Sequence, residues 1–314
     1  MRIAFYGSSL LSAYWNGAAT YYRGLLRALA AHGHAITFYE PDAYDRQAHR
    51  DIDPPAWAEV RVWPATEAGA HAVLREAAAA DVVVKASGVG VFDDLLAAGV
   101  LRAAAPRAVR VFLDVDAPAT LAALRRGAAE ALRRVLGEFD LVVTYGGGPP
   151  VVGAYRALGA RRCVPVYNAL DPETHHPVPA DPAYAADLSL LANRLPDRER
   201  RIGEFFFRPA TLLPARRFLL GGNGWAGAAM PANLRALGHV PTARHNAFNG
   251  SALAVLNVAR DSMAEVGFSP ATRVFEAAGA GACVITDAWE GIEMFVAPGR
   301  EIVVAGDGAE VAEI

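Results

Sequence analysis

The sequence predicts an α/β protein of two Rossmann-like domains, each built on a parallel sheet, and three observations lead to this class. The chain has 314 residues, which is too long for one ordinary core and suits two domains of about 150 residues. Short aliphatic runs alternate with helical segments along most of the chain. The alternation stops once, near the middle, and then starts again.

The first half of the chain has the pattern of a β-α-β series. The run "RIAFYG" predicts a buried strand, "AATYYRGLLRALAAHG" a helix with Gly33 at its C-cap, and "HAITFYE" a second strand. This order requires a right-handed crossover and therefore a parallel sheet. Alanine-rich segments such as Ala119 to Leu136 predict further helices. Four more aliphatic runs continue the sheet, namely "DVVVKAS", "RVFLDVD", "LVVTYGGG" and "RCVPVYN".

A proline-rich stretch then interrupts the pattern. "NALDPETHHPVPADPAYAAD" has four prolines in twenty residues and no period, which predicts a linker. We place the boundary inside it, with an N-terminal domain at 1–172 and a C-terminal domain at 173–314. The chain ends in "GAEVAEI", typical of the first turns of a helix, so we expect the complete C-terminal domain to have a further helix or two. A second parallel sheet is predicted by "DLSLLAN", "RFLLGGNG", "LRALGHV", "ALAVLNVAR", "ACVITD" and "EIVVAGD".

The composition excludes several classes of partner. A formal net charge of -3 indicates neither a nucleic-acid surface nor attraction to an anionic membrane. Cys163 and Cys283 each lie in an apolar run, which predicts buried, reduced thiols and a reducing compartment. The N-terminus lacks the pattern of a signal peptide, and no apolar run reaches about 18 residues. We therefore expect a soluble cytoplasmic protein without a transmembrane segment.

The stretch "GFSPATRVFEAAGAGACVITD", Gly267 to Asp287, contains the most specific pattern. Ser269 is a good N-cap and Pro270 a good first helical residue, so we predict that a helix begins there. Its unpaired amides and positive dipole end favour an anion, and Arg273 adds donors for phosphate oxygens. Glu276 can accept hydrogen bonds from both hydroxyls of a ribose. The alternative is an exposed ion pair between Arg273 and Glu276 on a surface helix.

This stretch, with the following "GIEMFVAPGREIVVA", resembles the donor-binding segment of GT-B glycosyltransferases. It is most similar to the bacterial spore-maturation (CgeB-like) group, whose pattern is S-P-x-T-R-x-F-E-A-x-x-x-G-A. The resemblance covers most of the C-terminal domain and is weaker in the N-terminal half. It implies the GT-B fold, in which two parallel-sheet domains face each other across a cleft, where open α/β sheets bind ligands. It also implies transfer of a sugar from a nucleotide diphosphate-sugar to an unidentified acceptor.

The resemblance assigns roles to residues of the donor site. Glu276 would take the donor ribose, and Ser269, Thr272 and Arg273 would hold its phosphates. Arg194, in the loop after the first strand of the domain, matches a basic residue that family members direct at the diphosphate. Helix amides and basic side chains generally stabilise the leaving diphosphate in this fold, so we expect a metal-independent enzyme without a cofactor.

Two nearby segments supply further candidates. Arg198 and Arg200 are neighbouring candidates for the diphosphate. The loop "GHV", which is Gly238, His239 and Val240, would contact the nucleobase through backbone groups. The alternative for this loop is an ordinary turn with a surface histidine.

Three further residues have both a functional and a structural interpretation. Arg260 closes the strand before the donor helix and is a candidate second phosphate contact, or else it pairs with Asp261 or Asp287. His175 and His176 lie beside acidic residues in the linker. No second cluster of ligands has suitable spacing, so the sequence predicts no metal site.

One departure from the family pattern concerns the donor sugar. Many retaining GT-B enzymes have two glutamates eight residues apart, but the position eight before Glu276 is Phe268. Glu265 is three residues too early to match. The sequence therefore does not distinguish an inverting from a retaining reaction.

The N-terminal domain has candidates for acceptor binding and catalysis. The loop "GSSLLSAYWNGAAT" follows the first strand, and Ser8, Asn16, Gly17 and Thr20 are candidate donors to a phosphate or an acceptor hydroxyl. Plain loop structure with a helix cap is the alternative, and the G-x-G-x-x-G spacing of dinucleotide sites is absent.

Two aspartates are candidates for the catalytic base. Asp114 and Asp116 end a strand in "FLDVDAP", where either is placed to act as a general base on an acceptor hydroxyl. An aspartate that forms a turn before Pro118 is the alternative.

Two other functions fit the same fold. The first is a non-catalytic protein that binds nucleotide-sugars, which Phe268 in place of an acid favours. The second is a nucleotide-sugar 2-epimerase, for which the sequence offers no convincing set of carboxylates.

Overall fold

The computed structural model describes all residues, 1–314. It divides into two compact units, Met1–Tyr167 and Asn168–Ile314. The division lies before the predicted position at 172 because the start of the linker packs on the second unit. Asn168 Nδ2 donates to the Pro270 carbonyl at 3.0 Å, and Asn246 Nδ2 donates to the Thr174 carbonyl at 2.9 Å.

The first unit contains a sheet of seven parallel strands. The strands are β1 Arg2–Tyr6, β2 Ala35–Asp42, β3 Ala58–Pro64, β4 Val82–Ala86, β5 Val109–Asp114, β6 Leu141–Thr144 and β7 Cys163–Pro165. Their order is β3-β2-β1-β4-β5-β6-β7, and Ile3 of β1 pairs with Ile36 on one side and Val82 on the other. Six of these strands were predicted. The edge strand β3 was not, because its residues "AEVRVWP" alternate polar and apolar and form no aliphatic run.

Helices cover this sheet and enclose an aromatic core in which Phe5 packs against Tyr22 and Phe38. The helices are α1 Ala19–Ala31, α2 Glu67–Leu74, α3 Asp93–Ala103, α4 Ala117–Arg125, α5 Glu130–Val135 and α6 Gly148–Ala157. Gly33 follows α1 with a φ of 82°, as expected for a residue just after a helix. The helix predicted from 119 to 136 is divided into α4 and α5, because Gly127 between them has a φ of 70°.

The second unit contains six parallel strands, and each corresponds to one of the predicted runs, with β8 beginning one residue before its run. They are β8 Ala186–Leu191, β9 Phe218–Gly221, β10 Leu234–Gly238, β11 Ala252–Asn257, β12 Val284–Asp287 and β13 Val303–Ala305. The helices are α7 Pro196–Ile202, α8 Arg208–Leu212, α9 His245–Gly250, α10 Asp261–Val266, α11 Thr272–Gly279 and α12 Gly308–Glu313. A π-helical turn at Gly203–Phe207 joins α7 to α8. Short 3-10 helices lie at Arg75–Ala79, Leu136–Glu138, Pro182–Tyr184, Thr242–Arg244 and Ile292–Met294.

The strand order of the second unit determines where a ligand can bind. The order is β10-β9-β8-β11-β12-β13, so the chain moves to one edge of the sheet from β8 and then to the other edge from β11. The loops that leave β8 and β11 at their carboxyl ends therefore diverge. In open α/β sheets, ligands bind in the crevice at this point.

Two other predictions concern the cysteines and the membrane. Both cysteines are unpaired, and Cys163 is buried as predicted, but Cys283 is exposed. The prediction of a buried thiol is wrong for Cys283, because this residue precedes β12 and does not lie within it.

The helices are all too short or too polar to traverse a bilayer.

Candidate functional site

Three arginines come together beyond the carboxyl ends of β8 and β11. Arg198 belongs to α7, Arg260 directly precedes α10, and Arg273 lies in the first turn of α11. Burial, and then the positive charges of Arg260 and Arg273, lower the pKa of the Arg198 guanidinium to about 10. Guanidinium groups that repel one another in a sheltered place indicate a site for an anion.

Several donors in and beside this arginine cluster make no hydrogen bond within the protein. Arg198 Nη2 donates to the Asn193 carbonyl at 2.8 Å, but its buried Nε has no hydrogen-bond partner. Nε and Nη1 of Arg273 and Oγ of Ser269 are also buried without hydrogen-bond partners. Buried polar groups are rarely left in this state, and a bound ligand or water is the usual explanation.

The helix at this site begins later than predicted. α11 starts at Thr272, with Ala271 as its N-cap, and no side chain caps it. Gly267 and Phe268 have φ values of 70° and 48°, and Phe268 N–H donates to the Glu290 carbonyl at 2.6 Å, so the chain turns before the helix begins. The predicted capping role of Ser269 is therefore wrong. The first amides of α11 have no acceptor within the helix, and they lie at its positive end.

Glu276 is the buried acid of the site. It is 4% exposed. Its Oε2 lies 3.3 Å from Arg273 Nη1, and its Oε1 lies 3.5 Å from His175 Nε2. The alternative of an exposed surface pair is wrong, because the pair between Arg273 and Glu276 exists but is sheltered from solvent. A sheltered carboxylate of this kind is a strong acceptor for hydroxyl groups.

Two histidines complete the surroundings of this acid. Ligand-type atoms of His175, His245 and Glu276 all lie within 4.8 Å of one another. Burial, and then the charge of Arg273, lower the pKa of His245 to about 4. Zinc takes such ligands, but the Arg273 guanidinium contacts the same carboxylate, and its charge disfavours a dication. The cluster therefore fits hydroxyl groups better than a metal ion.

Two of the predicted arginines, Arg194 and Arg200, form ion pairs with acidic residues. Arg194 forms an ion pair with Glu199 at 2.6 Å, and its guanidinium lies 5.9 Å from the centre of the Trp225 ring. The Arg200 side chain is 77% exposed and forms an ion pair with Asp261 at 3.2 Å. Arg200 is therefore a surface residue and does not join the arginine cluster.

The partners of Arg260 differ from the structural alternative. Arg260 Nε donates to Asp197 Oδ2 at 2.7 Å, and the pair joins the loop after β11 to α7. Asp287, which was one predicted partner, instead forms a buried ion pair with Arg201. The Asp197 contact keeps Arg260 close enough to Arg198 to lower the pKa of that residue.

Two carbonyls of the loop predicted to contact a nucleobase accept hydrogen bonds from other parts of the second unit. Gly238 has a φ of 73°, and its carbonyl accepts from Gly222 N–H at 2.7 Å. The Val240 carbonyl accepts a hydrogen bond from His245 Nε2 at 3.1 Å. His239 is half-buried and is not a surface histidine. Contact with a base stays a prediction for this loop.

In the first unit, the structure uses part of the predicted acceptor loop for its own folding. Ser8 Oγ donates to Asn16 Oδ1 at 2.9 Å, and Asn16 Nδ2 donates to two carbonyls of the same loop. Both side chains are buried and hold the loop together. Gly17 is exposed, and Thr20 is buried in the first turn of α1, which has no side-chain cap.

The structure contradicts the assignment of Asp114 as a general base. Asp114 has no exposed surface. Its Oδ1 accepts from Ser87 Oγ at 2.6 Å and from Thr120 Oγ1 at 3.0 Å, and its Oδ2 accepts from the Tyr155 hydroxyl. A carboxylate engaged through both oxygens is structural. Asp116, half-buried at the start of α4, is the remaining candidate.

His245 is the part of the site that the sequence analysis did not identify. It lies at the start of α9, and nothing in its neighbourhood along the chain indicates a function. Only the folded unit places it beside a linker residue and a residue of α11. A local motif could not have revealed this grouping.

Comparisons with known proteins agree with this fold. Residues 198–314 match the family model described as "Glycosyl transferase-like". The chain is similar to Anabaena HepE in complex with UDP-glucose, with a TM-score of 0.67 and 14% identity over 100% of this chain and 88% of that one. Sucrose-phosphate synthase from Thermosynechococcus elongatus gives the same TM-score of 0.67, identity of 14% and coverages of 100% and 88%.

A third similar structure contains DNA as well as a nucleotide. An alpha-glucosyltransferase in complex with UDP and DNA is similar with a TM-score of 0.64 and 11% identity, over 91% of this chain and 79% of that one. No curated protein sequence matches this one. The chain therefore has the GT-B fold, with two Rossmann-like parallel-sheet domains.

Proposed function

We propose that the protein is a glycosyltransferase that transfers a sugar from a nucleotide diphosphate-sugar, of the uridine diphosphate class, to an acceptor hydroxyl. The match of residues 198–314 to a glycosyl transferase-like family supports this proposal. The matched segment includes Arg198, Arg260, Arg273 and Glu276. The similar fold of HepE, whose structure contains UDP-glucose, supports the choice of donor.

The observation that carries the proposal is the arginine cluster beside the start of α11. Two of its guanidinium groups, those of Arg198 and Arg273, have buried donors that make no hydrogen bond within the protein, and Arg273 Nη1 has only the 3.3 Å ion-pair contact with Glu276. In the proposed reaction these groups, with Ser269 Oγ and the amides of Thr272 and Arg273, stabilise the negative charge of the departing diphosphate. This arrangement requires no metal ion at the diphosphate.

The remaining roles follow from the same placement. Glu276 accepts hydrogen bonds from the ribose, and the loop from Gly238 to Val240 contacts the base. Asp116 is the proposed general base on the acceptor, since Asp114 is fully engaged. Gly17 and Thr20 are proposed to contact the acceptor.

We also propose that the protein belongs to the CgeB-like group of bacterial glycosyltransferases and acts in the cytoplasm. Residues Ser269 to Ala277 match the pattern of that group through S-P-x-T-R-x-F-E-A. Two cysteines without a disulfide are compatible with a reducing compartment.

Calorimetric titration with UDP, GDP and dTDP, followed by incubation with UDP-glucose and other UDP-sugars, tests the proposal. We expect UDP to bind and the donor to be hydrolysed or transferred. Arg273→Ala should weaken UDP binding by about 10-fold or more, since it removes charged hydrogen bonds. Arg200→Ala, a matched change of an exposed arginine, should leave the affinity unchanged.

Three outcomes would contradict the proposal in different ways. Absence of nucleotide binding would remove the donor site. Binding without any turnover over a broad acceptor panel would favour a non-catalytic binding protein. Conversion of the UDP-sugar into its 2-epimer would favour an epimerase.

A further inference from the structure

The linker contributes a side chain to the donor site. His175 N–H donates to the Asp171 carbonyl at 2.8 Å, and the next carbonyl back, that of Thr174, accepts from Asn246 Nδ2 at 2.9 Å. These two bonds hold both polar groups of the Thr174–His175 peptide. His175 is 1% exposed, so its ring lies inside the second unit although it belongs to the proline-rich linker.

A glycine of α11 allows this close approach. A Cβ atom on Gly279 would lie 2.8 Å from Leu170 Cδ2 and 3.3 Å from the His175 carbonyl. Any larger residue would push the linker away from the helix. Glu276 lies one turn earlier on α11, so the linker and the helix pack closely beside this acid.

The two oxygens of Glu276 face different groups. Oε1 lies 3.5 Å from His175 Nε2, and Oε2 lies 3.3 Å from Arg273 Nη1. His175 Nε2 and Arg273 Nη1 thus flank the carboxylate on its two oxygens as charge contacts, and neither contact has the geometry of a hydrogen bond. The His175 ring is in turn stacked on His245, with ring centres 6.2 Å apart and planes inclined by 28°. His245 is anchored by its bond to the Val240 carbonyl.

We propose that His175 is a positioning residue, which orients Glu276 so that the site prefers ribose to 2′-deoxyribose. This inference rests on the proposed function, in which Glu276 holds the ribose. A carboxylate in a fixed plane can accept from both ribose hydroxyls at once. A carboxylate that is free to rotate would still attract one hydroxyl, but it would no longer discriminate against a nucleotide that lacks the 2′ hydroxyl.

The ratio of the dissociation constants of 2′-deoxy-UDP and UDP, measured by calorimetry, tests the inference. We expect the wild type to prefer UDP by about 10-fold or more, the range for one hydrogen bond to a charged group. In His175→Ala the ratio should fall to about 3 or less, as in Glu276→Gln, while the affinity for 2′-deoxy-UDP should stay near that of the wild type.

Two variants serve as controls. His176→Ala changes the exposed neighbour of His175 and should keep the ratio of the wild type. His175→Gln retains an N–H donor near the position of Nε2 and should restore most of the preference. Unchanged binding of 2′-deoxy-UDP by each histidine variant also shows that the second unit is folded.

The possible failures are distinguishable. If His175→Ala weakens both nucleotides equally, or keeps the full preference for UDP, His175 does not orient the acid and the inference is overturned. If the wild type binds UDP but does not distinguish it from 2′-deoxy-UDP, the ribose role of Glu276 fails instead. If the wild type binds neither nucleotide, the proposed function fails.

Discussion

Glu276 and Arg273 show how a single pair of residues can have either a structural or a binding role. An exposed pair of this kind contributes little, but here the Glu276 and Arg273 side chains are only 5% and 16% exposed. Burial, although opposed by the charge of Glu276, lowers the pKa of the Arg273 guanidinium. A guanidinium held in such a place at a cost in solvation is better explained by an anionic ligand than by the ion pair alone.

Replacing Glu276 with Gln should weaken UDP binding by about 1–3 kcal/mol, because the ribose hydroxyls lose a charged acceptor. Affinity for inorganic pyrophosphate, which has no ribose, should not fall. Calorimetry with both compounds measures the two effects. Glu265→Gln, at an exposed position of α10, is the matched control. Equal losses for UDP and pyrophosphate would show that Glu276 does not contact the ribose.

His245 should make the stability of the protein depend on pH. Its folded pKa is about 4, below the ordinary value of 6.5, so the unfolded chain binds more protons between these values. The contribution of His245 to the free energy of unfolding should therefore be fully present above about pH 6.5. It should be lost as the pH falls towards 4, by up to about 3 kcal/mol. Urea unfolding at pH 7 and pH 4.5 measures this loss. His245→Gln should reduce it, whereas the exposed His176→Gln should not; an equal loss in all three proteins would rule out His245 as the source.

At the residue scale, the sequence predicted those parts of the site that lie together along the chain. Arg273 and Glu276 are one turn apart on α11, so their proximity follows from helical periodicity. His175 and His245 reach the same acid from the linker and from α9, and only tertiary packing brings them together. Asp114 was misassigned for a similar reason, since Tyr155 and Ser87 come from distant parts of the chain.

At the scale of elements, the turn that leads into α11 is under backbone constraint. Phe268 has a φ of 48°, which is uncommon for a residue with a side chain. Its ring packs over Gly291, where an added Cβ atom would collide with the ring. This contact holds the turn at Phe268 in place. The turn determines the direction in which α11 and its first amides begin.

Gly291→Ala should therefore destabilise the protein and weaken UDP binding. Gly299→Ala is a matched control, because Gly299 has a similar φ of 76° but no atom within 4 Å of an added Cβ. Both changes incur the strain of a left-handed residue, about 1 kcal/mol. Gly291→Ala should cost about 1–3 kcal/mol more because of the collision. Denaturant unfolding and UDP titration of both variants measure the difference, and equal effects would show that the Phe268 contact does not control the turn.

Aliphatic runs predicted the buried strands because strands covered on both faces need continuous apolar sequence. The same rule missed β3, an edge strand in which the polar residues Glu59 and Arg61 interrupt the apolar sequence. Local capping rules placed the start of α11 at Ser269. The structure starts it at Thr272, since the bond from Phe268 to Glu290 across the unit determines the turn.

At the scale of the whole molecule, topology explains why the donor site lies where it does. Both sheets have the strand order of doubly wound folds. Successive strands are added first on one side and then on the other side of β1 in the first unit, and of β8 in the second unit. Arg198 follows β8 and Arg260 follows β11, the two strands at the reversal in the second unit. The alternation of strands and helices was enough to predict this architecture from sequence. The acceptor side was predicted less well, because Ser8 and Asn16 of the candidate loop hydrogen-bond within that loop.

The position of UDP in a crystal structure of the complex tests the central claim most directly. We expect the diphosphate to lie against the amides of Thr272 and Arg273 and the guanidinium groups of Arg198 and Arg273. We expect the ribose hydroxyls within hydrogen-bond distance of Glu276. A nucleotide bound elsewhere, or a ribose out of reach of Glu276, would contradict it.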